Sequence, residues 1–200
     1  MNPDPSSRVS PSEPSTKSKG FTLKGALAYV DARFGEEARG RLVAALDEES
    51  KTILSGSLLP SSWYPLRVQV ELYRTIDQFF GSGNLALCRE IGRYTAEHEI
   101  STIHRVTLKV ASLSLWLRSA GMMWRQYYSA GTLRSEGMGE RGGQLVLTEF
   151  NPLHRAFCED LSGWFERIAE LNGKDRVAVS HPDCILDGRP ACLFQASWRG

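Results

Sequence analysis

The sequence predicts an α+β domain in which a helical N-terminal half packs on a small four-stranded antiparallel sheet. Two observations carry that expectation. From residue 21 to residue 128, apolar residues recur every three or four positions, the period of a helix face. Beyond residue 131, short runs alternate apolar and polar residues between glycine-bearing turns, the period of half-buried strands. Helices first and strands afterwards segregate the helices to one side of the sheet.

The elements follow in order. Residues 1–20 are rich in Ser, Pro and Lys and read as a disordered tail ahead of a single α+β domain over 21–200. Leu23, Leu27, Val30 and Phe34 share one helical face, and Gly35 is placed to end that helix. Ala38, Leu42, Val43 and Leu46 line a second helix. Asp47 can cap a third over 48–54, with Gly56 closing it. The run LLPSSWYP over 58–65 reads as a loop, and Pro65 suits the first turn of the next helix. Val70, Tyr73, Ile76 and Phe80 mark that helix, and Asn84 caps the one after it.

Gly92 lies inside this last helix, where glycine costs about 1 kcal/mol against alanine. It therefore marks a close backbone approach. A two-fold homodimer burying helices from residues 66–100 is the expected source of that approach, the alternative being a monomer in which Gly92 packs against another helix of the same chain. Further helices are expected over 101–111 and 112–128, the second dense in aromatic and sulfur side chains. Strands follow over 131–137 and 144–150 around the turn GMGERGG. A helix opened by Pro152 carries Phe157, Leu161, Trp164, Phe165, Ile168 and Leu171 as its core stripe. The last strands are expected at 176–180 and 192–198.

Composition excludes several function classes. The net charge of +1 gives no global attraction to nucleic acid or to an acidic membrane. There is no run of 18 apolar residues to span a bilayer, and residues 1–20 lack the apolar core of a secretory signal. A cytoplasmic location without nucleic-acid or membrane partners is the expectation. No phosphate-binding glycine loop, nucleophile elbow or paired carboxylate and histidine arrangement is present, so no enzyme activity is expected.

The chemistry concentrates near the C-terminus. Cys158, His181, Cys184 and Cys192 follow the pattern C-x22-H-x2-C-x7-C. His181 and Cys184 flank a Pro-Asp turn, and Cys192 opens a strand after the turn-forming run DGRP. Three thiols and an imidazole are a closed four-coordinate donor set for structural zinc. The alternative is three buried thiols beside a turn histidine, since free cysteine packs as a small hydrophobe.

This stretch resembles the vinyl-4-reductase-type domain, in the group that also holds haem nitric-oxide-binding domains, TRAPP transport subunits and aromatic-sensing domains of transcription activators. The resemblance rests on C…G…C-x-F in a strand pair, preceded by a helix with a cysteine and Gly163-Trp164. It implies the ligand-binding fold shared by NO-signalling and Golgi-transport proteins. In the aromatic sensors zinc is held by a helix Cys, a Glu and two further Cys, which map onto Cys158, His181, Cys184 and Cys192, with His181 in place of Glu. The whole chain also resembles an uncharacterised myxobacterial family of about 200 residues, through Phe34-Gly35, SWYP at 62–65, EIGR at 90–93 and the cysteine-rich end. That likeness brings no activity.

The resemblance implies a non-enzymatic sensor module that binds an apolar small molecule between helices and sheet, with structural zinc at the sheet end. His104, Trp116, Trp124 and Tyr128 are the expected ligand-binding residues. The alternative is a protein-interaction or scaffold module of the same fold without ligand. Haem is not expected: His98 and His104 lie in helical runs, but YYSAGTLRS lacks the spaced Tyr-Ser-Arg signature of the haem-binding relatives.

Overall fold

A computed structural model describes residues 16–98, 108 and 112–199. Its helices are α1 Gly20–Phe34, α2 Glu36–Ala44, α3 Glu48–Ser55, α4 Leu66–Phe80, α5 Ala86–His98, α6 Leu113–Leu117, α7 Ala120–Tyr127 and α8 Arg155–Leu171. Its strands are β1 Lys17–Lys19, β2 Trp63–Pro65, β3 Thr132–Glu136, β4 Gly142–Thr148, β5 Asp175–Asp183 and β6 Cys192–Arg199. The four-stranded antiparallel sheet expected from the sequence is present, in the order β3-β4-β6-β5.

Local chemistry explains the boundaries. Gly35 takes the left-handed φ of 88° that ends α1. The Asp47 carboxylate accepts from Ser50 N at 2.7 Å and caps α3. Fully buried Asp77 accepts from Leu85 N and Leu87 N at 2.8 and 3.0 Å, which closes the turn between α4 and α5. Two apolar cores result. Leu23, Val30, Leu42, Leu72 and Ile76 fill the one among the N-terminal helices. Trp116, Leu147, Phe157, Phe165 and Phe194 fill the one between α6, α7, α8 and the sheet. Helix α4 serves both, through Val68 and Leu72 on one side and Leu66 and Val70 on the other.

Lys17 to Gly20, expected within the tail over 1–20, belong to β1 and α1. Lys17–Lys19 pair antiparallel with Trp63–Pro65, so the expected loop over 58–65 ends in a strand. Ser18 is fully buried, and Lys17 N donates to Ser129 Oγ at 2.8 Å. Residues 1–15 and the helix expected over 101–111, Leu108 excepted, lie outside the described residues. Removing residues 1–15 should leave the melting temperature unchanged within about 1 °C. Removing residues 1–20 should lower it by several degrees, at about 1 kcal/mol per lost hydrogen bond. A melting scan of both truncations checks the pair.

The expected role of Gly92 is corrected. It sits where α5 crosses α8 of the same chain. A Cβ on Gly92 would overlap the Asp160 carbonyl oxygen and lie 2.7 Å from its carbon. Gly163 answers it from α8, where a Cβ would come within 2.8 Å of the Arg89 carbonyl carbon. The close approach read from the sequence is real, but its partner is intramolecular. Around the crossing, Arg89 binds Glu159 and Glu166, and Arg93 binds Glu166 and Glu170. Partly buried, these ion pairs tie α5 to α8 in one register.

Candidate functional site

Two sites emerge on either side of α8. The first is the sulfur cluster. Cys158 sits in the first turns of α8, on its buried face. His181 comes from the end of β5, Cys184 directly follows that strand, and Cys192 opens β6. In a regular strand, residues three apart point to opposite faces. The β5–β6 register shifts between Ser180 and Asp183, and a bulge of this kind re-aims side chains. His181 and Cys184 thereby both face α8. The chain then turns through a 3-10 segment, Ile185–Asp187, and Gly188 supplies the left-handed φ of 76° that returns it to β6.

The four ligating atoms lie within 4.8 Å of one another. Cys158 Sγ is 3.9 Å from Cys184 Sγ, which is 3.7 Å from Cys192 Sγ. Zinc–sulfur bonds of about 2.3 Å in a tetrahedron set sulfurs about 3.8 Å apart, so this donor set has the dimensions zinc requires. The imidazole of His181 stacks on Phe194, with centroids 4.5 Å apart and planes at 7°. Its Nε2 is buried and has no hydrogen-bond partner among the described residues. A buried ring nitrogen left without a partner is costly unless something coordinates it.

The electrostatics are those of a thiolate site. Hydrogen bonding from Cys158 holds the Cys192 thiol down at about 4, with the adjoining His181 ring and the Ile185 N–H acting in the same direction against burial. That N–H lies 3.5 Å from Cys192 Sγ. The Cys158 thiol is pushed up, first by its hydrogen bond to Cys192 and then by burial, and burial raises Cys184 as well. Clustered thiols of which Cys192 is held down suit a cation, which displaces the remaining protons as it binds. The Asp183–Arg189 and Asp187–Arg155 pairs brace the turn from outside. The fourth cysteine, Cys88, lies apart between the N-terminal helices, and burial raises its thiol.

The second site is an apolar cavity of about 60 Å³ under α6 and α7. Trp116, Trp124 and Tyr128, three of the four expected ligand residues, line it. His104 lies outside the described residues. Sequence reasoning missed Trp164, Tyr127, Tyr73 and Thr22, which also face the cavity. It missed the buried polar group that holds one wall, too. Gln69 Nε2 donates to Tyr73 Oη at 2.9 Å and Tyr128 Oη at 3.3 Å, while its Oε1 accepts from Thr22 Oγ1 at 3.2 Å. The Trp124 indole N–H is satisfied by the Ala130 carbonyl at 2.8 Å. Aromatic walls with a few fixed hydroxyls are the chemistry of a small-molecule pocket.

Comparison with known proteins places the fold. No family model matches the sequence, and no curated protein matches it. Solved structures do. An H-NOX protein from S. oneidensis in the Fe(II)NO ligation state matches with a TM-score of 0.69 at 13% identity, over 91% of this chain and 99% of that one. A mutant H-NOX protein from K. algicida, Fe(II) and unliganded, matches with a TM-score of 0.67 at 14% identity, over 91% and 97%.

This finding overturns the expectation that haem can be set aside, because the matching structures are of haem nitric-oxide-binding proteins. The missing Tyr-Ser-Arg spacing was too local a test. Among the described residues the cavity wall supplies the Met123 thioether and three phenols but no imidazole, so these residues alone do not provide a histidine for haem iron. His98 is exposed and stacks on Tyr94. His154 accepts from Ala156 N at the start of α8 and His181 belongs to the sulfur cluster, so the remaining histidine is His104, outside the described residues. Over 91% of its length, the chain shares the fold of the H-NOX proteins.

Proposed function

We propose that this chain is a non-enzymatic, sensor-type module that binds an apolar small molecule at the aromatic cavity, with a structural zinc ion at Cys158, His181, Cys184 and Cys192. The observation that carries the reading is the convergence of Trp116, Trp124, Trp164, Tyr127 and Tyr128 on one cavity with a polar wall held by Gln69. The H-NOX likeness supports it, since one of those proteins is described with NO on Fe(II). Haem falls within the ligand class. Among the described residues no helix is long and apolar enough to cross a membrane.

The ligand enters past the half-buried side chains of Met123 and Tyr127. A ligand of drug size needs roughly 300 Å³ or more, so those side chains part as it binds. Zinc would be held by the three sulfurs and His181, and would supply a cross-link between α8 and the β5–β6 end of the sheet.

Melting scans with hemin, indole, phenol and naphthalene test the pocket. A ligand at about 100 times its Kd adds about 2.7 kcal/mol, a rise of roughly 5–11 °C for a chain of this length. Trp124→Ala should abolish the rise. With hemin, a Soret band that His104→Ala removes identifies the iron ligand. The cavity's small volume, about 60 Å³, favours a second reading, a protein-interaction module of the same fold with a filled core. If none of the four compounds raises the melting temperature, that second reading replaces the first.

A further inference from the structure

Charge is segregated in this chain in a way the two sites do not use. Between Glu99 and Glu136 there is no Asp or Glu, yet Arg105, Lys109, Arg118, Arg125 and Arg134 fall there. The chain as a whole carries only +1, so the remainder is net acidic. Elsewhere carboxylates are interspersed with the arginines, and Arg39, Arg67, Arg89, Arg93, Arg155, Arg167 and Arg189 meet them in ion pairs. Arg118 and Arg125 are exposed and have no ion-pair partner among the described residues.

The geometry of this stretch is that of a single helical rod. Arg118 and Ser119, between α6 and α7, keep near-helical angles of φ −60°, ψ −25° and φ −85°, ψ 1°. Ser119 N donates to Trp116 O, and Met123 N to Ser119 O, across the join. One face of the rod, Trp116, Leu117, Ala120 and Trp124, is buried in the core. The opposite face presents Leu115, Arg118, Met122 and Arg125, spaced three, four and three residues apart. That is the seam spacing by which one helix receives another. Leu115 is 59% exposed and Met122 62%, among the most exposed large apolar side chains described.

We propose that this face, Leu115, Arg118, Met122 and Arg125, docks an acidic amphipathic helix of a partner protein. Alternating apolar and cationic seam positions call for a partner with apolar residues flanked by carboxylates. Arginine and methionine are enriched and acids depleted in protein-binding patches, and guanidinium groups take carboxylates two bonds at a time. An anionic membrane fits less well. The rod's main apolar face is already spent on the core, and two side chains worth about 1.5–3 kcal/mol each hold a bilayer only marginally. The proposal is independent of the cavity's ligand.

The test uses the full chain and a labelled synthetic helix with leucine on its seam and glutamate beside it. A second helix carries lysine in place of glutamate, and vesicles of phosphatidylserine and phosphatidylcholine are run alongside. The acidic helix should bind saturably and the basic one should not. R118E with R125E should weaken binding about tenfold or more, since unpaired charges are left on both sides. L115S with M122S should weaken it by a similar factor, and both double variants should melt with the wild type because all four side chains are exposed. Absence of saturable binding to the acidic helix, or binding that either double variant leaves unchanged, overturns the proposal. So does binding to the vesicles but not to the helix, which would assign the face to a membrane.

Discussion

Alanine at Gly92 should destabilise this domain by about 3 kcal/mol or more, although alanine is the better helix former. In a free helix Gly→Ala gains about 1 kcal/mol. Here the added methyl would overlap the Asp160 carbonyl and lie 2.9 Å from Trp164 N, so α5 and α8 must separate. Overpacking of this kind costs about 1–3 kcal/mol, and more where backbone meets backbone. Steric cost therefore outweighs propensity and reverses the sign. Gly163→Ala should behave alike, because its methyl would meet the Arg89 backbone at the same crossing. For a chain of this length, 3 kcal/mol is a fall of roughly 6–12 °C in melting temperature. The double variant should cost less than the sum, since the first substitution already parts the helices. Unchanged or raised melting temperatures for both single variants would remove the crossing from this account.

Gly92 also shows where sequence reading stops. Its position inside an amphipathic helix announces a close neighbour, but not which helix that neighbour is. Gly163 completes the crossing from a distant part of the chain, and nothing local links the two. The long helices were legible because Tyr73, Ile76 and Phe80, and again Leu161, Phe165 and Ile168, recur three or four residues apart. Strands β1 and β2 were not, because three residues are too few to show alternation. Nothing in the sequence sets Gln69 apart on α4, yet it is fully buried and hydrogen-bonds three side chains of the cavity. Trp164 was legible as core and not as cavity wall, because the distinction depends on α6 and α7 arriving over it.

The sulfur cluster is the opposite case. His181, Cys184 and Cys192 are close in sequence, and their residue types limit what they can do, so the donor set was legible before its geometry. What was not legible is the bulge between Ser180 and Asp183 that turns His181 toward the thiols. The expected result is about one zinc per chain in protein purified without chelator. Cobalt in its place should show the intense thiolate charge-transfer bands of a tetrahedral sulfur site. Stripping the metal should lower the melting temperature by roughly 8–16 °C, because occupancy at about 1,000 times Kd adds about 4 kcal/mol to the folded state. The site joins α8 to β5 and β6, so the loss is expected as weakened hydrogen-exchange protection at those elements, with α1 to α3 little changed. Cys184→Ser should reproduce the stripped protein. Cys88→Ser should retain full zinc, since Cys88 lies in the other core. Protein that contains no metal, takes up no cobalt and melts identically with and without chelator would leave Cys158, Cys184 and Cys192 as packed thiols. The unpartnered Nε2 of His181 argues against that outcome, for a filled core would have given it a hydrogen bond.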